Sequence, residues 1–174
     1  MESLQRDAEA LRRIPLFSGL VPARLKLIAY AAEVLHFEPG EVIARQGEPP
    51  DAIDIIAEGE AEVWLTHADG RSVRLCTIGR HSLLGEAALL CHGCRTATVR
   101  AKDQVVTFRI STRVFLDLLR EHPEIRIQVM RGLARRLEHV SVTLQQGRII
   151  EERDLLLNPV GTVMPFGGPW RRTG

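Results

Sequence analysis

Between Leu84 and Val99 the chain reads Leu-Gly-Glu-Ala-Ala-Leu-Leu-Cys-His-Gly-Cys-Arg-Thr-Ala-Thr-Val. Two opposite charges stand in this small-residue stretch, Glu86 and, nine residues on, Arg95. Gly85 precedes Glu86, and Ala-Ala-Leu-Leu follows it without a β-branched residue. This pattern predicts a one-turn helix that opens directly after the glycine. A helix N-terminus presents unpaired N–H groups and the positive end of a dipole, which suits a phosphate. Arg95 adds a two-pronged guanidinium that matches phosphate oxygens. Glu86 is an acceptor able to hold a sugar hydroxyl, and Thr96 brings a hydroxyl beside the phosphate. Together they fit a compact sugar phosphate. Singly, each is an ordinary surface or turn residue, so the combination carries the reading.

A second group of reactive side chains overlaps the first. Cys91-His-Gly-Cys94 has metal- or redox-motif spacing, Cys76 offers a third sulfur, and His81 or His92 a fourth ligand. A structural zinc site takes four ligands and an iron–sulfur cluster usually four cysteines, so the count falls short. No metal site is assigned, and metal or thiol sensing through Cys76, Cys91 and Cys94 stands as an alternative. The sequence contains no G-x-S-x-G elbow, no H-E-x-x-H and no Walker loop, so no enzymatic activity is expected.

These residues need a scaffold. Leu4, Ala8, Leu11 and Ile14 share one helical face over residues 2–14, which Pro15 ends. Pro22 suits the first position of a second helix that buries Leu25, Ile28, Ala29 and Ala32. From about Val34 to Ile110 short apolar runs alternate with glycine-containing turns. The runs are Glu41–Ala44, Ile53–Ala57, Ala61–Thr66, Ser72–Ile78, Ala97–Ala101 and Val105–Ile110, with Asp69-Gly70 marking a hairpin. Such spacing predicts a β-sandwich or barrel, with the helix after Gly85 inserted into it.

Beyond Ile110 the period is helical again. Ser111 or Thr112 caps a short helix through Arg120, and His122-Pro123 separates it from a longer one. Met130, Leu133, Leu137, Val140 and Leu144 follow the a/d spacing of a heptad on a helix about 36 Å long from Pro123 to Gln146. The seam suits pairing with a second copy of the chain, against the alternative of packing onto its own barrel. Residues 158–174 are rich in Gly and Pro and are expected to form a flexible tail.

At 174 residues the chain suits one ordinary domain and not comfortably two. The hydrophobic share of 45% and charged share of 26% exclude a disordered or collagen-like polymer. Aromatics at 5% leave the core to Leu, Val, Ile and Ala. A net charge of +1 demands neither nucleic acid nor an anionic membrane. The charged N-terminus has no secretory h-region, and no stretch approaches the ~20 apolar residues of a membrane span. Three cysteines fit a reducing compartment, so a cytoplasmic location is expected.

The segment 84–99 resembles the phosphate-binding cassette of the cyclic nucleotide-binding domain family. That pattern is Gly-Glu, a short helix, then Arg, a small residue and Ala, here Gly85-Glu86 and Arg95-Thr96-Ala97. Ile14–Leu20, Pro39–Ile43, Arg45–Glu48 and Ile55–Glu60 are similar to the family's N-terminal helical element, first strands and turns. Val99–Lys102 and Ala134–Leu137 are similar to the bacterial catabolite activator branch, and the likeness spans roughly residues 11–146. It implies a mainly β fold with flanking helices, a β-roll or jelly-roll (double-stranded β-helix), followed by a long C-terminal helix. The implied organisation is a binding domain over 1–122, a dimerisation or lid helix over 123–157 and a tail over 158–174.

The resemblance also implies a ligand, cAMP or cGMP, and no cofactor. Arg95 would neutralise the cyclic phosphate, which the backbone at Gly85, Ala87 and Ala97 would line. Glu86 would accept the ribose 2′-hydroxyl. Thr96 would bond the phosphate and a purine in the syn orientation. Leu75 and Cys76 would face the base, and Ser141 of a partner subunit's long helix would touch it. Leu84 stands where the family usually has an aromatic, His81 where a turn glycine is common, and Val140 where Thr is frequent. Two outputs are weighed. One is a sensor, dimeric through residues 123–146, read by another protein through movement of its C-terminal helices. The other is a transcription regulator of the catabolite activator type without its helix-turn-helix. Beyond Asp154 only 20 residues remain, with Gly161, Pro165, Gly167, Gly168 and Pro169 among them, so DNA binding is not expected.

Overall fold

A computed structural model describes the backbone of residues 2–90 and 93–145, and side-chain environments within residues 3–134 of that range. The chain opens with α1 (Glu2–Arg12), a 3₁₀ turn (Pro15–Phe17) and α2 (Pro22–Ala31). Strands β1 (Glu33–Phe37), β2 (Val42–Ala44), β3 (Ala52–Glu58), β4 (Ala61–Thr66), β5 (Ser72–Ile78) and β6 (Leu83–Leu84) follow. Then come α3 (Glu86–Leu90), β7 (Thr98–Ala101), β8 (Val105–Ser111), α4 (Thr112–Glu121) and α5 (Pro123–Gln145). The strands form two four-stranded antiparallel sheets, ordered β1-β8-β3-β6 and β2-β7-β4-β5. This is the mainly β roll with flanking helices that the resemblance implies, and its two packed sheets agree with the sandwich or barrel that the strand spacing predicts.

Two cores result, and β3 belongs to both. Ile53 and Ile55 join Phe108, Ile110 and the buried faces of the helices, among them Leu11, Phe17, Leu25, Phe115 and Ile125. Ile56 joins Ile43, Val63, Cys76, Ile78, Leu84, Val99 and Val105 between the sheets. Side chains alternate along a strand, so Asp54 shares the inter-sheet side with Ile56. A strand covered on both faces reads as a nearly continuous apolar run, as β3 does from Ala52 to Ile56.

Two strands were absent from the expected set. β1 is a largely exposed edge strand without a clean alternation, and β6 has only two residues, too few to show a period. Pro15 does more than end α1: it starts the 3₁₀ turn that buries Leu16 and Phe17. The hairpin at Asp69-Gly70 joins β4 to β5 with Thr66 opposite Ser72. Ser111 caps α4, its Oγ accepting from the Val114 N–H at 3.4 Å.

On α5, Ile125 and Val129 are buried and Leu133 packs partly against the helical core. Met130 is 62% exposed. The heptad seam therefore divides, with Leu133 turned to the chain's own core and Met130 away from it. The side chains of Leu137, Val140 and Leu144, and the whole segment 146–174, lie outside the described residues. Among the described residues no helix is long and apolar enough to cross a membrane.

Phe115 locks α4 onto the roll and is fully buried. Phe115→Ala is expected to lower the unfolding free energy by about 4 kcal/mol, read from the urea midpoint with an unchanged m-value.

Candidate functional site

The cassette starts at a sheet edge. Leu83 and Leu84 of β6 pair with Ile55 and Asp54 of β3, and Gly85 then turns the chain into α3 with a φ of +97°. That left-handed value favours glycine. Glu86, the first residue of α3, is only 2% exposed although it carries a carboxyl group. Gly85 O accepts from Leu89 N–H at 3.0 Å, and Ala88 O accepts from Gly93 N–H at 2.9 Å, closing the helix at both ends.

Arg95 closes the same cassette and is 7% exposed. Its backbone is clasped from both sides by the turn 45–48: its N–H donates to Glu48 O at 2.9 Å and its carbonyl accepts from Gly47 N–H at 2.8 Å. Gln46 N–H donates to Thr98 Oγ1 at 3.1 Å, so the turn also grips the next strand. The guanidinium lies over Gly85, where a Cβ would stand 3.0 Å from Arg95 Nη1 and 3.1 Å from Ala52 O. Arg95 Nη2 donates to Ala52 O at 3.0 Å and to Asp51 Oδ1 at 3.3 Å. It stands 4.0 Å from Asp54 Oδ2. The helix that begins at Glu86 and the cation at Arg95 thus meet at Gly85.

Asp54 is fully buried and pairs with Arg109 on the neighbouring strand. Arg109 Nε donates to its Oδ1 at 2.8 Å and Nη2 to its Oδ2 at 3.1 Å. Hydrogen bonding to Asp54 raises the Arg109 pKa against the cost of burial. The sequence reading missed Asp51, Asp54 and Arg109. Its available signal was a charge inside each of two apolar runs, Ala52–Ile56 and Val105–Ile110.

The remaining expected residues distribute as follows. Ala87 is half-buried on α3, Ala97 packs partly against the inter-sheet core, and Thr96 is exposed. Cys76 is buried between the sheets, and Leu75 packs partly against the same cluster. Val63 pairs with Cys76 but Trp64 with Arg74, so Leu75 is the extra residue of a bulge. A bulge re-aims side chains locally and lets two successive residues reach one side. Ser141 lies on α5, with its side chain outside the described range. Cys91 and His92 also lie outside it, and Cys94 is exposed. Among the described residues no group of three or more His, Cys, Asp or Glu could hold a metal ion. His81 takes a φ of +70°, the conformation of the turn glycine it stands in for, and burial lowers its pKa.

The family model of the cyclic nucleotide-binding domain matches residues 34–122, half of the chain, including the whole cassette. The chain belongs to the cyclic nucleotide-binding domain family. A CRP-like cAMP-activated global transcriptional regulator of Mycobacterium tuberculosis is 27% identical over 136 residues, which cover 78% of this chain and 61% of that one. A cAMP-dependent protein kinase regulatory subunit of Emericella nidulans is 35% identical over 109 residues, covering 63% of this chain and 26% of that one. The crystal structure of the Thermus thermophilus catabolite activator protein superposes with a TM-score of 0.67 at 29% identity, over 76% of this chain and 62% of that one. The chain thus spans about three fifths of the length of the bacterial regulators it matches.

At Gly85 a Cβ would be pressed against Arg95 Nη1 and Ala52 O. Gly85→Ala is expected to cost roughly 2 kcal/mol of stability, from strain at positive φ and the pressure on Arg95 and Ala52. Gly93→Ala, where a Cβ meets nothing within 4 Å, serves as the control in the same denaturation series.

Proposed function

We propose that the chain is a sensor for a 3′,5′-cyclic nucleotide and that it passes the signal to another protein. The observation that carries this is a buried glutamate and a buried arginine brought together over Gly85 at the two ends of one cassette. The phosphate sits on Arg95 and on the backbone of Gly85, Ala87 and Ala97. Glu86 accepts the ribose 2′-hydroxyl. Thr96, being exposed, is free to turn its hydroxyl to the phosphate or the base. Leu75 and Cys76 line the base, and Ser141 approaches it from a partner subunit. Relatives named for cAMP activation and cAMP dependence support an adenine ligand, with cGMP as the competing one.

Binding couples to the helices through the segment 49–52. Thr112 at the start of α4 donates its N–H to Asp51 O at 3.0 Å and its Oγ1 to Pro50 O at 2.6 Å. The same segment supplies Asp51 and Ala52 O to Arg95. A phosphate that takes Arg95 from Asp51 alters the loop on which α4 rests, and a ligand binding one helix arrangement better shifts the population toward it.

Calorimetric titration with cAMP, cGMP and cyclic dinucleotides is expected to show one saturable site for a cyclic mononucleotide. Arg95→Ala is expected to weaken it at least ~100-fold, the loss of a buried charge-assisted pair, with the circular dichroism spectrum retained. Unchanged affinity in that variant rejects the assignment.

Self-association through residues 123–146 belongs to the same proposal, and exposed Ile127 and Met130 on α5 support it. Light scattering is expected to give a dimer, and Leu137→Glu combined with Val140→Glu a monomer. A monomeric wild type at micromolar concentration counts against the seam.

A further inference from the structure

Two arginines face one fully buried carboxylate, and only Arg109 is hydrogen-bonded to it. Asp54 sits on β3 directly opposite Arg109 of β8 on one side and Leu84 of β6, the residue before Gly85, on the other. Its Oδ1 accepts from Arg109 Nε at 2.8 Å and from Thr107 Oγ1 at 3.4 Å, and its Oδ2 from Arg109 Nη2 at 3.1 Å. Arg109 Nη2 also donates to Ile43 O at 3.1 Å, which fixes the guanidinium between the two sheets. Arg95 Nη2 lies 4.0 Å from Oδ2, close enough for charge attraction but about 1 Å too far for a hydrogen bond. The carboxylate it hydrogen-bonds is Asp51, whose side chain is 81% exposed. Asp51 is open to water, so its hold on Arg95 is screened and a phosphate oxygen exchanges for it at little cost. A buried carboxylate would be a much stronger competitor, since leaving it unpaired is expensive.

We propose that Arg109 is a positioning residue for the anion site: by satisfying Asp54 with both prongs it prevents that carboxylate from capturing Arg95, and so keeps Arg95 available to the ligand phosphate. The inference rests on the cyclic nucleotide reading of the site. Without Arg109, Asp54 needs a cation, and a shift of the Arg95 guanidinium by about 1 Å, from 4.0 Å to hydrogen-bond distance, would supply it. The ligand would then have to break a buried ion pair in order to bind. Glu33, opposite Arg109 on edge strand β1, and Asp51 add to the negative field that Arg109 offsets.

The test is the cAMP dissociation constant of the full chain by calorimetry, beside the melting temperature, for wild type, Arg109→Met, Asp54→Asn and the double variant. Arg109→Met is expected to weaken binding about tenfold and Asp54→Asn to tighten it about threefold, although both lower the melting temperature. The double variant is expected to return to within about threefold of wild type, because neither the competitor nor its keeper remains. A merely structural pair would weaken binding in both single variants alongside the loss of stability, and that result overturns the proposal. If Arg109→Met does not fold, Arg109→Lys takes its place: it keeps one charge but not the fork, and is expected to weaken binding about threefold. Weaker or unchanged affinity in Asp54→Asn overturns the proposal by itself. A wild type that binds no cyclic nucleotide overturns the ligand reading and this inference with it. A wild type that binds while the single variants move together overturns only the inference.

Discussion

The charge of Arg95, buried at the junction of a strand and a one-turn helix, constrains everything around it. A guanidinium out of water needs acceptors, and the chain provides them from one short segment: the Ala52 carbonyl and the Asp51 carboxylate. Its backbone is held by the turn 45–48, so the side chain enters the roll from a fixed origin. At Gly85, where φ is +97°, a Cβ would press on the guanidinium and on the Ala52 carbonyl. The cassette, the turn and the loop 49–52 are three separate pieces of chain, yet each is shaped by the same cation.

This arrangement joins the site to the helical layer without any long path. Ala52 begins β3, whose Ile53 and Ile55 pack beneath the helices, while Asp51 and Pro50 accept hydrogen bonds from the first residue of α4. α4 leads at His122 into α5, the element carrying exposed Met130 and the remaining heptad positions. Arg95 and the base of α4 therefore share one loop. β3 serves as the common wall of both cores, and the Asp54–Arg109 pair lies on its inter-sheet face beside the cassette.

Much of the scaffold was legible because the periods were clean. β4 alternates up to a glycine turn, α3 follows a glycine with helix formers, and Ser111 announces α4. β1 and β6 were not legible, since an exposed edge strand and a two-residue strand show no period. The 3₁₀ turn after Pro15 was hidden for a related reason, as three residues leave no repeat to detect. The heptad spacing on α5 was real as a pattern but ambiguous in meaning, because tertiary packing turns Leu133 inward and leaves Met130 exposed.

The sequence by itself determined the cassette. Gly85, Glu86 and Arg95 are close in the chain, and their types and spacing follow from local rules about glycine turns, helix starts and guanidinium chemistry. Only the tertiary structure decided what surrounds them. Asp51 and Asp54 lie more than forty residues before Arg95, and Arg109 lies fourteen after it. What brings them together is the antiparallel register of β3 between β6 and β8, a long-range pairing that no local pattern encodes. Whether a buried arginine faces a ligand or is spent on an internal carboxylate depends on that register, because charges in the interior are governed by distances of a few ångströms.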